Sequence, residues 1–388
     1  MMYRALILIL LFFPVLNLQG QNTTPEVLRF EDFLEQVMVN HPLAQRSDLQ
    51  RESGVAGLRA ARGAFDPNLR GDADAKSFDG KNYFRRADAG IDLPTRLGIT
   101  LTGGYSFADG QYLNPEWNLP AVGLYNAGVE VNLGKGLLID RARASLRQAK
   151  VYVQRTEAER LQMRNDLAVV AAAAYWDWVQ AWHEREIYRQ ALVLAQDRFE
   201  GVKSGFQLGD RPAIDTVEAR IQVQNRRYNL NKAEMKLAEM QGRLSSMLWD
   251  TEGRPLELRS TISAPVVARP NTTVERSLIS EWVEAHPLLQ FYALKARELE
   301  VDRRYKAEQL RPKIALKYNF LTAPPEAQSA QGLQNYKVGM VFRFPLLLRQ
   351  ARGELELARI KIKQNQWTYE EKRWELQTKV KALERKID

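Results

Sequence analysis

The stretch Asn40-His41-Pro42-Leu43 returns as Ala285-His286-Pro287-Leu288, 245 residues later. Pro67, in Phe65-Asp66-Pro67-Asn68-Leu69, returns at the same offset as Pro312, in Leu310-Arg311-Pro312-Lys313-Ile314. A strand-like region and then a helix follow each second mark. Further on, Arg143, Leu146 and Ala149 match Arg352, Leu355 and Ala358 at an offset of 209, so the first copy carries 36 extra residues in its strand region. A duplicated helix–strands–helix unit fixes the architecture before any single motif is weighed.

The 388 residues, 45% hydrophobic and 27% charged, exclude a disordered chain. With no cysteine there is no disulfide framework, thiolate nucleophile or cysteine–zinc site. The net charge is +9, with Lys and Arg interspersed among Asp and Glu along the helices. That pattern reads as solvated helix faces and not as a nucleic-acid patch. Residues 1–20 read as an export leader: Arg4, an apolar run from Ala5 to Val15, and the small Gly20 before Gln21. The run is short for a spanning helix, and no later segment is long and apolar enough. If this exported chain enters a membrane, it does so as a β-barrel, the other structure that satisfies its own backbone there.

The first repeat reads as 21–249: a helix from Phe30 to about Ala64, strands over 68–133, and a long helical hairpin over 141–249. In the hairpin Ala142, Leu146, Ala149 and Val153 step by 4, 3 and 4, a heptad-like seam. A break at Leu208-Gly209-Asp210-Arg211-Pro212 separates the two helices, with Gly suited to a left-handed turn and Pro to a helix start. A Pro-containing connector (250–272) leads to the second repeat (273–388), where Thr272 to Glu275 has the spacing of a capping box. Ala351, Leu355, Ala358 and Ile362 repeat the 4, 3, 4 stepping. The pattern continues to Asp388 with no turn or return helix, so the second repeat reads as truncated, or the protein as unusual.

Alternation marks the strands. Val129, Val131 and Leu133 oppose Gly128, Glu130 and Asn132; Ile314, Leu316, Tyr318 and Phe320 oppose Lys313, Lys317 and Asn319; Val338, Met340, Phe342 and Phe344 oppose Lys337, Gly339 and Arg343. Such a period of two fits a lipid face and a watery lumen. It fits a half-buried soluble sheet equally well; the export leader and the tube-length helices favour the barrel. Each repeat has too few strands to close one, so closure requires several copies.

Together these features resemble the TolC family of outer-membrane efflux ducts, across about Leu28 to Asp388. The marks are the twin His-Pro-Leu segments, the Pro opening each strand region, Phe344-Pro345-Leu346, and the tip from Leu208 to Asp215. The resemblance implies an α+β membrane protein in the outer membrane of a Gram-negative bacterium: a homotrimer whose long antiparallel helices form a periplasmic tunnel. Four strands per protomer would build a shared barrel in outer-membrane lipid. It implies passage without an energy source, a periplasmic adaptor and an inner-membrane transporter as partners, tripartite efflux or type I secretion, no nucleic acid, no cofactor and no catalysis. Leu208, Gly209, Asp210 and Arg211 fall at the tip where adaptors engage. Asp215 matches a tip acid of the gate; as a residue by itself it equally reads as capping or solvating the return helix. Pro212 and Ala213 depart from the family's small hydroxyl residue at the tip, which leaves the adaptor open. The 36 extra residues, including Leu93-Pro94-Thr95-Arg96-Leu97-Gly98, read as longer strands, a surface loop or an additional hairpin, with a loop or extension favoured.

Other motifs give little. His41 and His286 each precede a Pro at a helix bend, a structural position. His183 has Glu184 and Glu186 nearby but no second His or Cys to complete a metal set. Tyr175, Trp176, Trp178 and Trp182 read as packing between helices. Gly134-Lys135-Gly136 is too short for a phosphate loop. The competing readings are an exported coiled-coil scaffold without a pore and a duct fragment that cannot close.

Overall fold

The computed structural model describes residues 27–266, 281–323 and 335–387. The export leader at 1–20 and the Thr272–Glu275 box lie outside them. The strands are β1 (Asn68–Phe78), β2 (Lys81–Pro94), β3 (Ile99–Asp109), β4 (Leu124–Asn132), β5 (Lys313–Thr322) and β6 (Tyr336–Arg343). The helices are α1 (Phe30–Asn40), α2 (Pro42–Arg62), α3 (Arg141–Gln207), α4 (Ala213–Ser245), α5 (Pro287–Glu308) and α6 (Arg349–Ile387). The chain divides into two units: Pro42–Leu167 with Pro270–Asp388, and Met1–His41 with Ala168–Arg269. No described helix is long and apolar enough to cross a membrane.

The first unit holds one six-stranded sheet in the order β1-β2-β3-β4-β5-β6, every neighbour antiparallel. This corrects the expectation of four strands per chain. The extra residues of the first repeat are neither a loop nor a simple extension; they add a hairpin to the sheet. Its turn is Asp79-Gly80, with φ of 52° and 69°, the paired positive φ of a type I′ turn that matches strand twist. Between β2 and β3, Thr95 N–H donates to the Ile99 carbonyl (2.9 Å), and its hydroxyl donates to the same oxygen (2.6 Å). Gly98 (φ +83°) closes that turn against the Arg143 guanidinium, where a Cβ would sit 2.8 Å from Nη2.

The strand-to-helix junction of the first repeat is joined to the helix-to-strand junction of the second. Leu133 N–H and Lys135 N–H donate to the Ile314 and Pro312 carbonyls, each at 2.7 Å. Gly134 between them admits no side chain, since a Cβ would lie 2.0 Å from the Pro312 oxygen. The buried Glu308 at the end of α5 accepts from Leu138 N–H (3.1 Å) and pairs with Arg311 (3.4 Å). Arg143, also buried, pairs with Asp140 (2.9 Å) and donates to the Leu137 and Gly136 carbonyls, fixing the entry to α3.

The helices of this unit pack in pairs. Gly54 of α2 meets the fully buried Thr156 of α3 so closely that a Cβ would stand 2.3 Å from Oγ1. Lys306 of α5 pairs with Glu354 of α6 (2.8 Å), and Asn365 Nδ2 donates to the Tyr292 carbonyl (3.0 Å). His286 is the N-cap of α5: its Nδ1 accepts from Leu288 N–H at 3.2 Å. In the second unit α1 packs on α3 through Phe33 and Tyr175, with rings 5.5 Å apart. Tyr175 donates its hydroxyl to the Leu28 carbonyl (2.8 Å). Burial, and after it the charges of Glu31 and Asp32, push that phenol up to about 12.

Two measurements test this packing. Gly54→Ala should destabilise by about 1–3 kcal/mol through overpacking, although alanine alone would favour the helix by about 1 kcal/mol. Thr156→Ala in the same chain should return most of it, read by denaturant unfolding in detergent. Burial lowers the His286 pKa, opposed by Asp166, and burial lowers that of His41. The unfolded chain therefore binds more protons as the pH falls, so this stability is present above about 6.5 and lost as the pH drops through the folded values. Melting temperature should fall by a few degrees between pH 7.5 and 5. His286→Asn keeps a capping acceptor that does not titrate, and should flatten the fall; an unchanged slope would refute the role of His286.

Candidate pore wall and helix tip

Period-two alternation, carried through the register, sorts the sheet into two faces. On one face lie Leu69 of β1, Ile91 of β2, Leu101 of β3, Val129 of β4, Tyr318 of β5 and Val338 of β6, connected strand to strand by the pairings. On the other lie Arg70, Asp72 and Asp74 of β1, Arg86 and Asp88 of β2, Thr102 of β3, Glu130 of β4, and Lys317 and Lys337 of β5 and β6. The apolar face is open: Leu69 is 85% and Met340 71% exposed, and β1 and β6 are exposed along their whole length. A half-buried soluble sheet would cover this face with another layer.

The apolar face also carries tyrosines, at more than one level of the register. Tyr105 and Tyr125 have rings 5.0 Å apart, Tyr318 and Tyr336 stack at 6.0 Å, and Tyr83 meets Tyr112 at 4.9 Å. Aromatic residues are enriched at the interface levels of membrane barrels. The strands are 8 to 14 residues long, against the ~9–11 residues that a tilted strand needs to span a bilayer. Charges on the polar face pair across strands: Arg86 with Asp74 (2.8 Å from Nε), Arg70 with Asp92 (3.5 Å) and Lys317 with Glu130 (2.8 Å).

The second feature is the α3–α4 tip. Gly209 (φ +78°) ends α3: its N–H donates to the Phe206 carbonyl (3.1 Å), and Asp210 N–H donates to the Gly205 carbonyl (2.9 Å). These two bonds are a Schellman cap. Pro212 is the N-cap of α4 and makes no side-chain cap. Arg211 folds back so that its stem lies beside Gly205, where a Cβ would sit 3.2 Å from Cδ. Its guanidinium stands 3.7 Å from Asp215, in the first turn of α4. Sequence reasoning placed Leu208, Gly209, Asp210, Arg211 and Asp215 at the tip; the structure brings Arg211 and Asp215 together and leaves Leu208 78% exposed, with Ile214 also exposed. The tip thus carries two exposed apolar residues and one ion pair.

His183 lies elsewhere, with Nε2 donating to the Pro265 carbonyl (2.9 Å), and no group of His, Asp and Glu among the described residues could hold a metal. Sequence reasoning missed the charged wall of β1 and β2, whose signal was the run Arg70, Asp72, Asp74, Lys76 at every second position.

Residues 99–248 match the family model described as outer membrane efflux protein. No curated protein matches the chain. Among solved structures, a membrane protein from Pseudomonas aeruginosa aligns at a TM-score of 0.60 and 16% identity, covering 90% of this chain and 74% of that one. The VceC outer membrane protein of Vibrio cholerae aligns at 0.56 and 13%, covering 89% and 75%. The MtrE outer membrane channel of Neisseria gonorrhoeae aligns at 0.56 and 13%, covering 89% and 70%. These identities show a common fold. The matched segment, 99–248, is similar to outer membrane efflux proteins, and the fold of the chain is that of the outer-membrane channels.

The tip geometry carries its own test. Gly209→Ala should cost about 1–2 kcal/mol, the penalty of a left-handed Cβ, and speed amide exchange over 205–212. Gly209→Asn should do less; equal exchange in all three proteins would show that the left-handed cap does not hold the tip.

Proposed function

We propose that this protein is the outer-membrane duct of a tripartite efflux or type I secretion system, passing solutes without an energy source of its own. The observation that carries this is the sheet with one uncovered apolar face and one charged face. Water cannot cover the apolar face cheaply, and hydrocarbon cannot accept the charged one; a barrel wall places each in its own medium. A homotrimer closes the wall, and the repeats at 21–249 and 273–388 are the two halves of a duplicated unit. The helix tip supports a docking role. Leu208 and Ile214 offer exposed apolar contacts, fit for a periplasmic adaptor that links the duct to an inner-membrane transporter. Asp215, held near Arg211, belongs to the gate.

Purified in detergent and added to planar bilayers, the protein should give stepwise conductance and a trimer mass in native mass spectrometry. A monomer without conductance would overturn the duct. Leu208→Asp should leave the bilayer conductance unchanged and reduce export from cells several-fold. If export is unaffected, the tip is not where the adaptor binds.

A further inference from the structure

We infer that the barrel takes all six strands from each copy, with the β1 edge of one copy hydrogen-bonded to the β6 edge of the next, so that a trimer builds an eighteen-stranded wall. The inference rests on the assembly of copies proposed above and adds its joint and its width.

The β1–β2 hairpin is part of the wall and not an appendage. β2 pairs with β3 in unbroken register from Arg85↔Asp109 to Pro94↔Thr100. β1 follows β2 with a single irregularity between Lys76 and Ser77. The hairpin also keeps the two-faced pattern, with Ala73 and Ala87 paired on the apolar side and Asp74 and Arg86 on the other. The family match begins at Ile99, the first residue of β3, so the hairpin lies outside the matched segment. A wall of four strands per copy would have to unzip β2 from β3 to present β3 as its edge, breaking a ten-pair ladder and leaving β1 and β2 with no place in the wall.

The two free edges complement each other. With six alternating strands, β1 runs away from the helical end and β6 runs back to it, so copies set side by side meet antiparallel. On the apolar face β1 is small, with Gly71, Ala73 and Ala75, whereas β6 carries Val338, Met340 and Phe342. Large side chains of one edge then cover the bare backbone of the other. On the polar face the β1 edge alternates Arg70, Asp72, Asp74 and Lys76, and the β6 edge brings Lys337 and Arg343. A β6–β6 joint would set cation against cation, whereas Asp72 and Asp74 offer the β6 cations opposite charge, which favours β1 as its partner. An eighteen-stranded barrel encloses an aqueous channel and is about half again as wide as one of twelve.

Because the chain has no cysteine, introduced pairs report the joint cleanly. Val338→Cys would be combined with Gly71→Cys, Ala73→Cys or Ala75→Cys in β1, and separately with Leu101→Cys or Gly103→Cys in β3. We expect oxidation to lock β6–β1 pairs into covalent dimers and trimers in denaturing gels. Linkage of β6 to β3 in a protein that native mass spectrometry finds trimeric would mean a twelve-stranded wall and overturn the inference while leaving the duct intact. A trimer that links in neither set also overturns it. A monomer that links in neither set overturns the assembly itself. Counting strands in a density map of the cysteine-free trimer decides the same question without any substitution: eighteen supports the joint, twelve removes it.

Discussion

Hydrocarbon offers no hydrogen bonds, so a strand placed in it must find a backbone partner along both of its edges. The rest of this protein's sheet follows from that demand. Strands β2 to β5 are satisfied within the chain, each flanked on both sides. β1 and β6 are not, and no described layer covers them. The side chains obey the same logic at one remove: charged and paired on one face, and small or apolar on the other apart from the Arg85–Asp109 pair at the far end of β3. In a soluble sheet the open edges would invite aggregation, and natural sequences guard against it with short strands, bulges or inward charges. Here the edge strands are 11 and 8 residues long, and their charges sit on one face only. Such edges suit the joint proposed between copies.

The junction below the sheet transmits this order to the helices. Strands lie about 4.8 Å apart and packed helices 8–10 Å apart, so a chain leaving one lattice for the other must be held firmly. Glu308 and Arg143 do this from opposite repeats: one anchors the loop after β4 to the end of α5, the other clasps the same loop from the first turn of α3. Both side chains are buried, each beside one partly exposed partner of opposite charge: Glu308 beside Arg311 and Arg143 beside Asp140. Removing that partner would leave a buried charge uncompensated, which is strongly destabilising.

Much of this was legible in the sequence. The duplicated His-Pro-Leu segments located the repeats because helix starts constrain residue type, and Pro67 with Pro312 marked where each strand region opens. Alternation in β4, β5 and β6 was plain, since Val, Tyr and Phe stand against Lys and Asn. The hairpin of β1 and β2 was one of three readings but not the favoured one, because the middle of its apolar face is Gly71, Ala73, Ala75, Ala87 and Ala89, which reads as loop when hydrophobicity is the guide. Its turn residues, Asp79-Gly80, were the available sign. At the tip, Gly209 announced the left-handed cap, whereas the approach of Arg211 to Asp215 depends on how the stem folds over Gly205 and has no mark in the spacing. The histidines show the same limit: position before a Pro foretold a structural role, but not that His286 would use its ring as a cap while His41 packs against Trp249 at 6.1 Å.

The helices beside the sheet repeat the sheet's incompleteness in another form. On α2, Leu49 and Val55 stay exposed; on α6, Leu357, Trp367 and Trp374 do, the last two at 77% and 66%. Single exposed apolar residues need no explanation, but these recur along helices that already pack against α3 and α5 on another side. Burying a tryptophan side chain is worth more than any surface ion pair on the same helix, so such residues set where a neighbouring helix lies. In the proposed assembly, strand edges bring copies together within the membrane, since an unpaired backbone there is untenable. Apolar helix stripes would make the same meeting favourable outside it, by a weaker and more adjustable force. A duct has to be permanent in its wall and movable in its tube, and the two kinds of unfinished surface divide that task by the energy of the bonds each lacks.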